Sequence, residues 1–239
     1  MNDGWPAVER GAVEGWALRF AAGVTRRANS VLPLQTPDDV EAAVAEVERR
    51  SAERWLDPVF QISPASLPED LDELLARRGY AAGSPTLVQI MEGSELLRFY
   101  GIAVDPRVEL SDAPDEQWLD LFWEVEGPQA PEDRAVSRQI LGGSPAVYAS
   151  LRIDGTTAAI ARMALVGEYG GMYCVVTREE SRRQGLSRLV LEALMANAAD
   201  RGLEGLWLQV RESNVAAILL YDELGFTTAS SYHYRTRAL

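Results

Sequence analysis

The chain reads as an α/β protein built from two related modules, and three stretches carry that expectation. Gly171–Thr177 is a short apolar run, β-branched at its end and free of charge, which predicts a buried strand. Leu189, Val190, Ala193, Leu194 and Ala198 then recur at the spacing of one helical face. The third observation is an order of elements (hairpin, helix, strand, helix, Gly-aromatic, strand) that can be followed in both halves of the chain.

Taken in order, Met1 to Glu14 is polar and reads as helix after Pro6, and Trp16–Phe20 and Val24–Val31 read as strands around Ala21-Ala22-Gly23. Pro37-Asp38-Asp39 supplies a helix start, with proline and acids in the first turn, and Val40, Ala43, Val44 and Val47 line its face. Val59–Ile62 is a short strand, Leu67–Arg78 a helix closed by Gly79, and Thr86–Met91 a strand. Residues 95 to 106 form the passage to the second module, which opens with a strand at Val108–Leu110. Pro114-Asp115-Glu116 starts a helix carrying Trp118, Leu119, Phe122 and Val125, and a polar helix follows between Pro131 and Leu141. Asp154-Gly155 turns a hairpin between Val147–Ile153 and Thr156–Val166. The division expected is residues 1–100 and residues 101–239.

Between the strand at Gly171–Thr177 and its helix lies Arg182-Arg183-Gln184-Gly185-Leu186-Ser187. A helix N-terminus presents unpaired N–H groups and the positive end of a dipole, and Gly185 lets the backbone come close to a ligand. Two arginines add forked donors that match phosphate oxygens. The combination points to a polyanion site, most simply for a pyrophosphate. Neither a G-x-x-x-x-G-K-[ST] loop nor a G-x-G-x-x-G fingerprint is present. Arg182-x-x-Gly185-x-Ser187 instead resembles R-x-x-G-x-[G/A], the acyl-CoA signature of the GNAT N-acetyltransferase superfamily, with serine at the last position as a small departure. Leu206–Val210 as a strand, Asn214-x-x-Ala217, and Leu220-Tyr221-x-x-x-Gly225-Phe226 continue the resemblance, which covers roughly residues 145 to 237.

The resemblance implies a GNAT fold, α/β (α+β), with a mixed, mostly antiparallel sheet flanked by helices. It implies an acyl-CoA-dependent N-acetyltransferase that uses acetyl-CoA as donor and needs no metal. The main chain at Cys174, Val175 and Val176 would pair with the pantetheine arm, and the N–H near Val176 would polarise the thioester carbonyl. Arg182, Arg183, Gln184, Gly185, Leu186 and Ser187 would hold the pyrophosphate. Tyr221 matches the tyrosine that protonates the leaving thiolate, against the plainer reading of a core tyrosine. Asn214 and Ala217 match the next donor-side motif; Asn214 serves equally as a helix cap. Glu168 is the best placed general base, and equally a surface glutamate between Gly167 and Gly170.

In the first module Leu71–Tyr80 runs parallel to Leu219–Phe226, and Phe60-Gln61-Ile62 to Leu208-Gln209-Val210. Where the second module has its arginine loop, the first has Gln35-Thr36-Pro37-Asp38-Asp39. Acids there repel a pyrophosphate and proline removes an N–H. The first module is therefore expected to be a degenerate copy without an acyl-CoA loop.

Composition bounds the rest. A 47% hydrophobic chain of 239 residues can pack a core, and no apolar run reaches membrane-spanning length. The single cysteine suits a reducing cytoplasm. All 23 basic residues are arginine, as a GC-rich bacterial genome favours. A net charge of −13 argues against nucleic acid as a partner. Asp112, Asp115, Glu116, Asp120, Glu124, Glu126, Glu132 and Asp133, with Trp123, suit either a cationic amine acceptor or a plain solvated surface. Cys174 reads as core, and with one Cys and one His no metal site is expected. His233 could serve as a base or simply pack on the last strand. Arg26, Arg27 and Asn29 fit a salt-bridged surface better than an acceptor contact. The expected activity is acetyl transfer to a primary amine of a small molecule or peptide. A non-catalytic acyl-CoA sensor and an interaction protein are the alternatives, and monomer and homodimer both stay open.

Overall fold

The computed structural model describes residues 2–239. The chain divides into two compact units. One comprises the N-terminal residues through Trp5, Gln89–Gln209 and Val215–Thr227; the other comprises Pro6–Val88, Val210–Asn214 and Thr228–Leu239. One boundary between the units falls inside strand β5 (Ala81–Glu92), and the chain crosses between units more than once.

The unit holding Gln89–Gln209 is built on strands β6 (Val108–Ser111), β7 (Ala146–Ile153), β8 (Thr156–Val166), β9 (Tyr169–Thr177) and β10 (Gly205–Arg211), in the order β5-β10-β9-β8-β7-β6. Pairing is antiparallel from β6 to β9 and parallel between β9 and β10, as a mixed sheet requires. Asp154 and Gly155 both have positive φ (50° and 79°), which is the two-residue turn that an Asp-Gly pair favours between antiparallel strands. Helices α3 (Gly93–Leu96), α4 (Glu116–Val125), α5 (Pro131–Gly142), α6 (Leu186–Asp200) and α7 (Val215–Leu224) belong to the same unit. α4 starts where Asp115 accepts a hydrogen bond from the Trp118 N–H at 2.7 Å, and Trp118 Nε1 donates to the Ala149 carbonyl at 3.1 Å. α4 and α6 both pack on β8, whose residues Thr157–Ala164 are buried without a break. A strand covered on both faces reads as a continuous apolar run. β8 fits that rule except at Arg162, which is fully buried.

The second unit holds a small sheet, β1 (Glu9–Val13), β2 (Trp16–Phe20) and β3 (Leu32–Pro33), with helices α1 (Val40–Ala52) and α2 (Leu71–Arg77). β4 (Val59–Ile62) pairs antiparallel with β11 (Thr227–Thr236), which explains why the end of the chain joins this unit. Two expectations fail here. Residues 9–13 form a strand where a helix was read, because they pair with β2 and need no apolar face of their own. Val24–Val31 is no strand: Asn29 Oδ1 accepts from the Ala21 and Gly23 N–H groups, and its amide donates to Thr25 and Ala21 carbonyls, folding the segment into a tight loop with a 3-10 turn. α2 is also shorter than read, beginning at Leu71. Its core is aromatic, with Phe60 edge-on to both Trp16 and Tyr80 at 5.5 and 5.6 Å.

Both helix-to-strand turns singled out in the sequence close in one geometry. Gly79 (φ 84°) and Gly225 (φ 102°) are left-handed. Tyr80 N–H donates to Leu75 and Gly79 N–H to Ala76; Phe226 N–H donates to Tyr221 and Gly225 N–H to Asp222. This double-bonded stop is what a glycine just past a helix permits.

Candidate active site

The arginine loop leaves β9 at Thr177 and enters α6 at Leu186. Arg182, Arg183, Gln184 and Gly185 are exposed. Arg183 and Gly185 have φ of 60° and 77°, so the backbone turns left-handed twice just before the helix. Gly185 occupies the N-cap position without a capping side chain, and a Cβ built there would meet nothing within 4 Å. The first N–H groups of α6 are thus left for a ligand. The contrast with the other unit is direct: Asp39 caps α1 with its own carboxylate, accepting from the Ala42 N–H at 3.0 Å. Ser187 does more than keep the turn small. Its hydroxyl meets that of Thr177 at 2.6 Å and ties the end of β9 to the start of α6.

β9 is irregular where the donor arm is expected. Arg162 faces Tyr173 and Ile160 faces Val176, so Ala161 opposes both Cys174 and Val175. This is a bulge, with Cys174 at φ 52°, a conformation that normally asks for glycine. On the other side, β9 and β10 are in register only from Tyr169–Gly205 to Met172–Leu208. Gly170 and Gly171 allow that tight contact, since a Cβ on Gly171 would lie 2.4 Å from the Trp207 ring. Beyond Met172 the register with β10 ends while β9 continues to Thr177.

Tyr221 lies on α7, buried, its ring edge-on to Phe226 at 6.1 Å. Burial pushes its hydroxyl above the usual phenol range, and the charge of Glu126 pushes it further in the same direction. Arg188 of α6 pairs with Glu223 of α7, which braces the two helices. Asn214 directly precedes α7, at the capping position, with Ala217 in the first turn.

Other expected residues stand elsewhere. Glu168 is exposed in the turn that opens β9, six positions before Cys174, or about 20 Å of extended strand. The structure does not bring it to the bulge. Of the acidic residues on α4 and α5, Asp115 pairs with Arg152, Glu116 with Arg138 and Glu124 with Arg178. Trp123 is buried with Arg134 and Arg138 over its ring, so that face is not open to an amine. Glu126 is the acid of this group whose charge reaches Tyr221. His233 meets Asp72 at 2.8 Å beside Arg235, and Arg26 donates to Ser84, so both serve their own unit. A cavity of about 650 Å³ opens at the other end of the sheet, among Met91, Gly93, Tyr169, Glu204 and Trp207, away from the loop. No helix of the described residues is long and apolar enough to cross a membrane.

Sequence reasoning missed the bulge and the Thr177–Ser187 tie. The bulge leaves no mark in composition; the tie was signalled by the serine that departs from the small-residue pattern.

Comparison with known proteins agrees with this geometry. Residues 1–237 match the family described as "Probable histone acetyltransferase Rv0428c C-terminal". The Bacillus subtilis protein named "Uncharacterized N-acetyltransferase YobR" is 29% identical over 240 residues, covering 98% of this chain and 94% of its own. The Escherichia coli [ribosomal protein bS18]-alanine N-acetyltransferase is 40% identical over 77 residues, 32% of this chain and 52% of its own. A tandem GNAT protein from the clavulanic acid biosynthesis pathway superposes with a TM-score of 0.64 at 16% identity, over 82% of this chain and 69% of that one. The chain belongs to the Rv0428c C-terminal acetyltransferase family, and it is a GNAT-type N-acetyltransferase.

Proposed function

We propose that the unit carrying the arginine loop transfers the acetyl group of acetyl-CoA to a primary amine of a small molecule or peptide, with Tyr221 as general acid. The observation that carries the reading is the uncapped, exposed start of α6, where Arg183 and Gly185 are left-handed, a Cβ on Gly185 would meet nothing within 4 Å, and Arg182 and Arg183 are exposed. Pyrophosphate oxygens suit an uncapped helix start beside two arginines. From there the pantetheine arm reaches the bulge at Cys174–Val176, whose main chain supplies the pairing and an N–H to polarise the thioester oxygen. The ammonium first gives a proton to water; the amine nitrogen then attacks the carbonyl carbon, the C–S bond breaks, Tyr221 protonates the departing thiolate, and the proton lost from the new amide nitrogen returns to Tyr221 through solvent. Glu126 contributes in two ways: its charge keeps Tyr221 protonated, and it draws an incoming ammonium toward the same place. Glu168 has no part in this mechanism.

The other unit serves as a degenerate copy. The matched glycine stops at Gly79 and Gly225 support a shared ancestry, and Asp39 fills the helix start that would otherwise take phosphate. The name of the Escherichia coli relative directs the search for an acceptor to peptide α-amines first.

The test is thiol release from acetyl-CoA against peptide N-termini, polyamines, aminoglycosides and amino acids, with calorimetry for CoA. One CoA per chain and amine-dependent release are expected. Release that no amine accelerates, or two CoA per chain, overturns the reading.

A further inference from the structure

Arg162 is the residue in this unit that acetyl transfer, as described, does not use. It interrupts Ala158-Ala159-Ile160-Ala161 and Met163-Ala164-Leu165, and it is fully buried. A cation taken out of water is costly unless its donors are satisfied. Here they are: Nε donates to the Tyr148 hydroxyl at 3.2 Å, Nη1 to the Gly4 carbonyl at 2.9 Å, and Nη2 to the Leu141 carbonyl and the Ser144 hydroxyl, both at 2.9 Å. All four acceptors are neutral. The aromatic rings of Trp5, Tyr148 and Tyr173 surround the guanidinium at 5.7 to 6.0 Å. A leucine or methionine would fill the position without that demand, so what the arginine adds is direction.

What it directs is the start of the bulge. Arg162 lies opposite Tyr148 on one side and Tyr173 on the other, and Tyr173 is the last residue before Cys174 turns left-handed. Trp5 stacks on Tyr173 at 5.3 Å, and Trp207 Nε1 donates to the Tyr173 hydroxyl at 3.3 Å. Gly4 lies so close that a Cβ there would be 2.8 Å from the Tyr173 hydroxyl. The segment Asn2–Trp5 is therefore a strap laid over β9 and held down by Arg162. The far end of the same short stretch is held by Thr177 against Ser187. A non-glycine residue with positive φ relaxes toward ordinary strand geometry unless its surroundings forbid it.

We infer that Arg162, acting through the N-terminal strap Asn2–Trp5 and Tyr173, is a positioning residue that keeps the β9 bulge in the shape needed to present its N–H to the thioester oxygen. The inference rests on the acetyl-transfer reading for its kinetic consequence, but the bracing itself is independent of it.

Two variants test it, Arg162→Met, which keeps volume, and Trp5→Leu, which leaves the arginine in place. Amide hydrogen exchange across residues 173–177, read against α6 and β7, measures the brace. Thiol release is expressed per CoA-binding site counted by calorimetry, which removes any loss from unfolded protein. Exchange at 173–177 is expected to rise about tenfold or more while α6 and β7 hold. Turnover per site should fall about 10–100-fold with CoA affinity within about threefold, because a misaimed oxyanion donor acts on the transition state more than on binding. Arg162→Lys should recover less than half of the lost turnover, since one ammonium cannot span the same acceptors. Exchange at 173–177 equal to the parent in both variants overturns the inference, as does a rise spread evenly over the unit or an unchanged turnover per site. A parent that releases no thiol with any amine removes the acetyl-transfer reading, and the exchange result still decides whether Arg162 braces the bulge.

Discussion

Tyr221→Phe is the sharpest probe of the proposed chemistry. The ring is buried, edge-on to Phe226 at 6.1 Å. Phenylalanine keeps the ring and its packing, so stability should change by no more than about 1 kcal/mol. A general acid is worth about 10²–10⁴-fold, so kcat should drop by that order while KM for acetyl-CoA stays within about twofold. The pH profile adds a second constraint. Burial and the Glu126 charge both favour the neutral phenol, so Tyr221 stays protonated well above its ordinary titration range. The parent's kcat should therefore show no Tyr221-dependent fall on the basic side up to about pH 10, the ordinary tyrosine value. Glu126→Gln removes the repelling charge and should bring that fall to lower pH. Steady-state rates over about four pH units up to the tyrosine reference near 10, with the best acceptor, decide the matter. An unchanged kcat in Tyr221→Phe refutes the assignment; a raised KM with kcat intact makes Tyr221 a donor contact.

Three further perturbations follow from the same geometry. Arg182→Ala and Arg183→Ala should each weaken CoA binding by about 1–3 kcal/mol for a lost charge-assisted contact, whereas Asp38→Ala should leave it untouched, as calorimetry can show. Gly185→Ala must place a methyl at φ 77° in open space; thermal stability should fall by about 1 kcal/mol, and CoA affinity by about tenfold or more because the methyl stands where phosphate approaches. Asp72 is held below the usual carboxylate range, first by the hydrogen bond from Arg235 and then by that from His233. Its contribution is therefore present above about pH 4 and is lost as pH falls through the lowered value. Because the group is partly exposed, Asp72→Asn should cost only about 1 kcal/mol at pH 7, and its stability should vary less with pH than the parent's between about pH 2 and 5 in urea titrations.

What the sequence made legible divides along a physical line. Elements with a one-dimensional signature were readable: the Asp154-Gly155 turn, the strand entering the arginine loop, the helix after it, and the glycine stops at Gly79 and Gly225. Each depends on residues adjacent along the chain. The failures depend on partners far away. Residues 9–13 are a strand only because β2 pairs with them, and Val24–Val31 is a loop because one asparagine side chain satisfies backbone groups on both sides of it. The site shows the same division. The turn from β9 into α6, which is proposed to hold phosphate, was legible as a turn, since its glycine, arginines and helix start lie within six residues. The bulge was not, because its shape is set by an extra residue opposite Ala161 and by whatever grips Tyr173 and Thr177. Arg162 was visible all along as a charge inside an apolar strand. Its meaning required knowing that residue 4 of the chain supplies one of its acceptors. A residue out of keeping with its local pattern marks a long-range constraint, and in this unit that constraint lies beside the stretch of β9 on which the proposed chemistry depends.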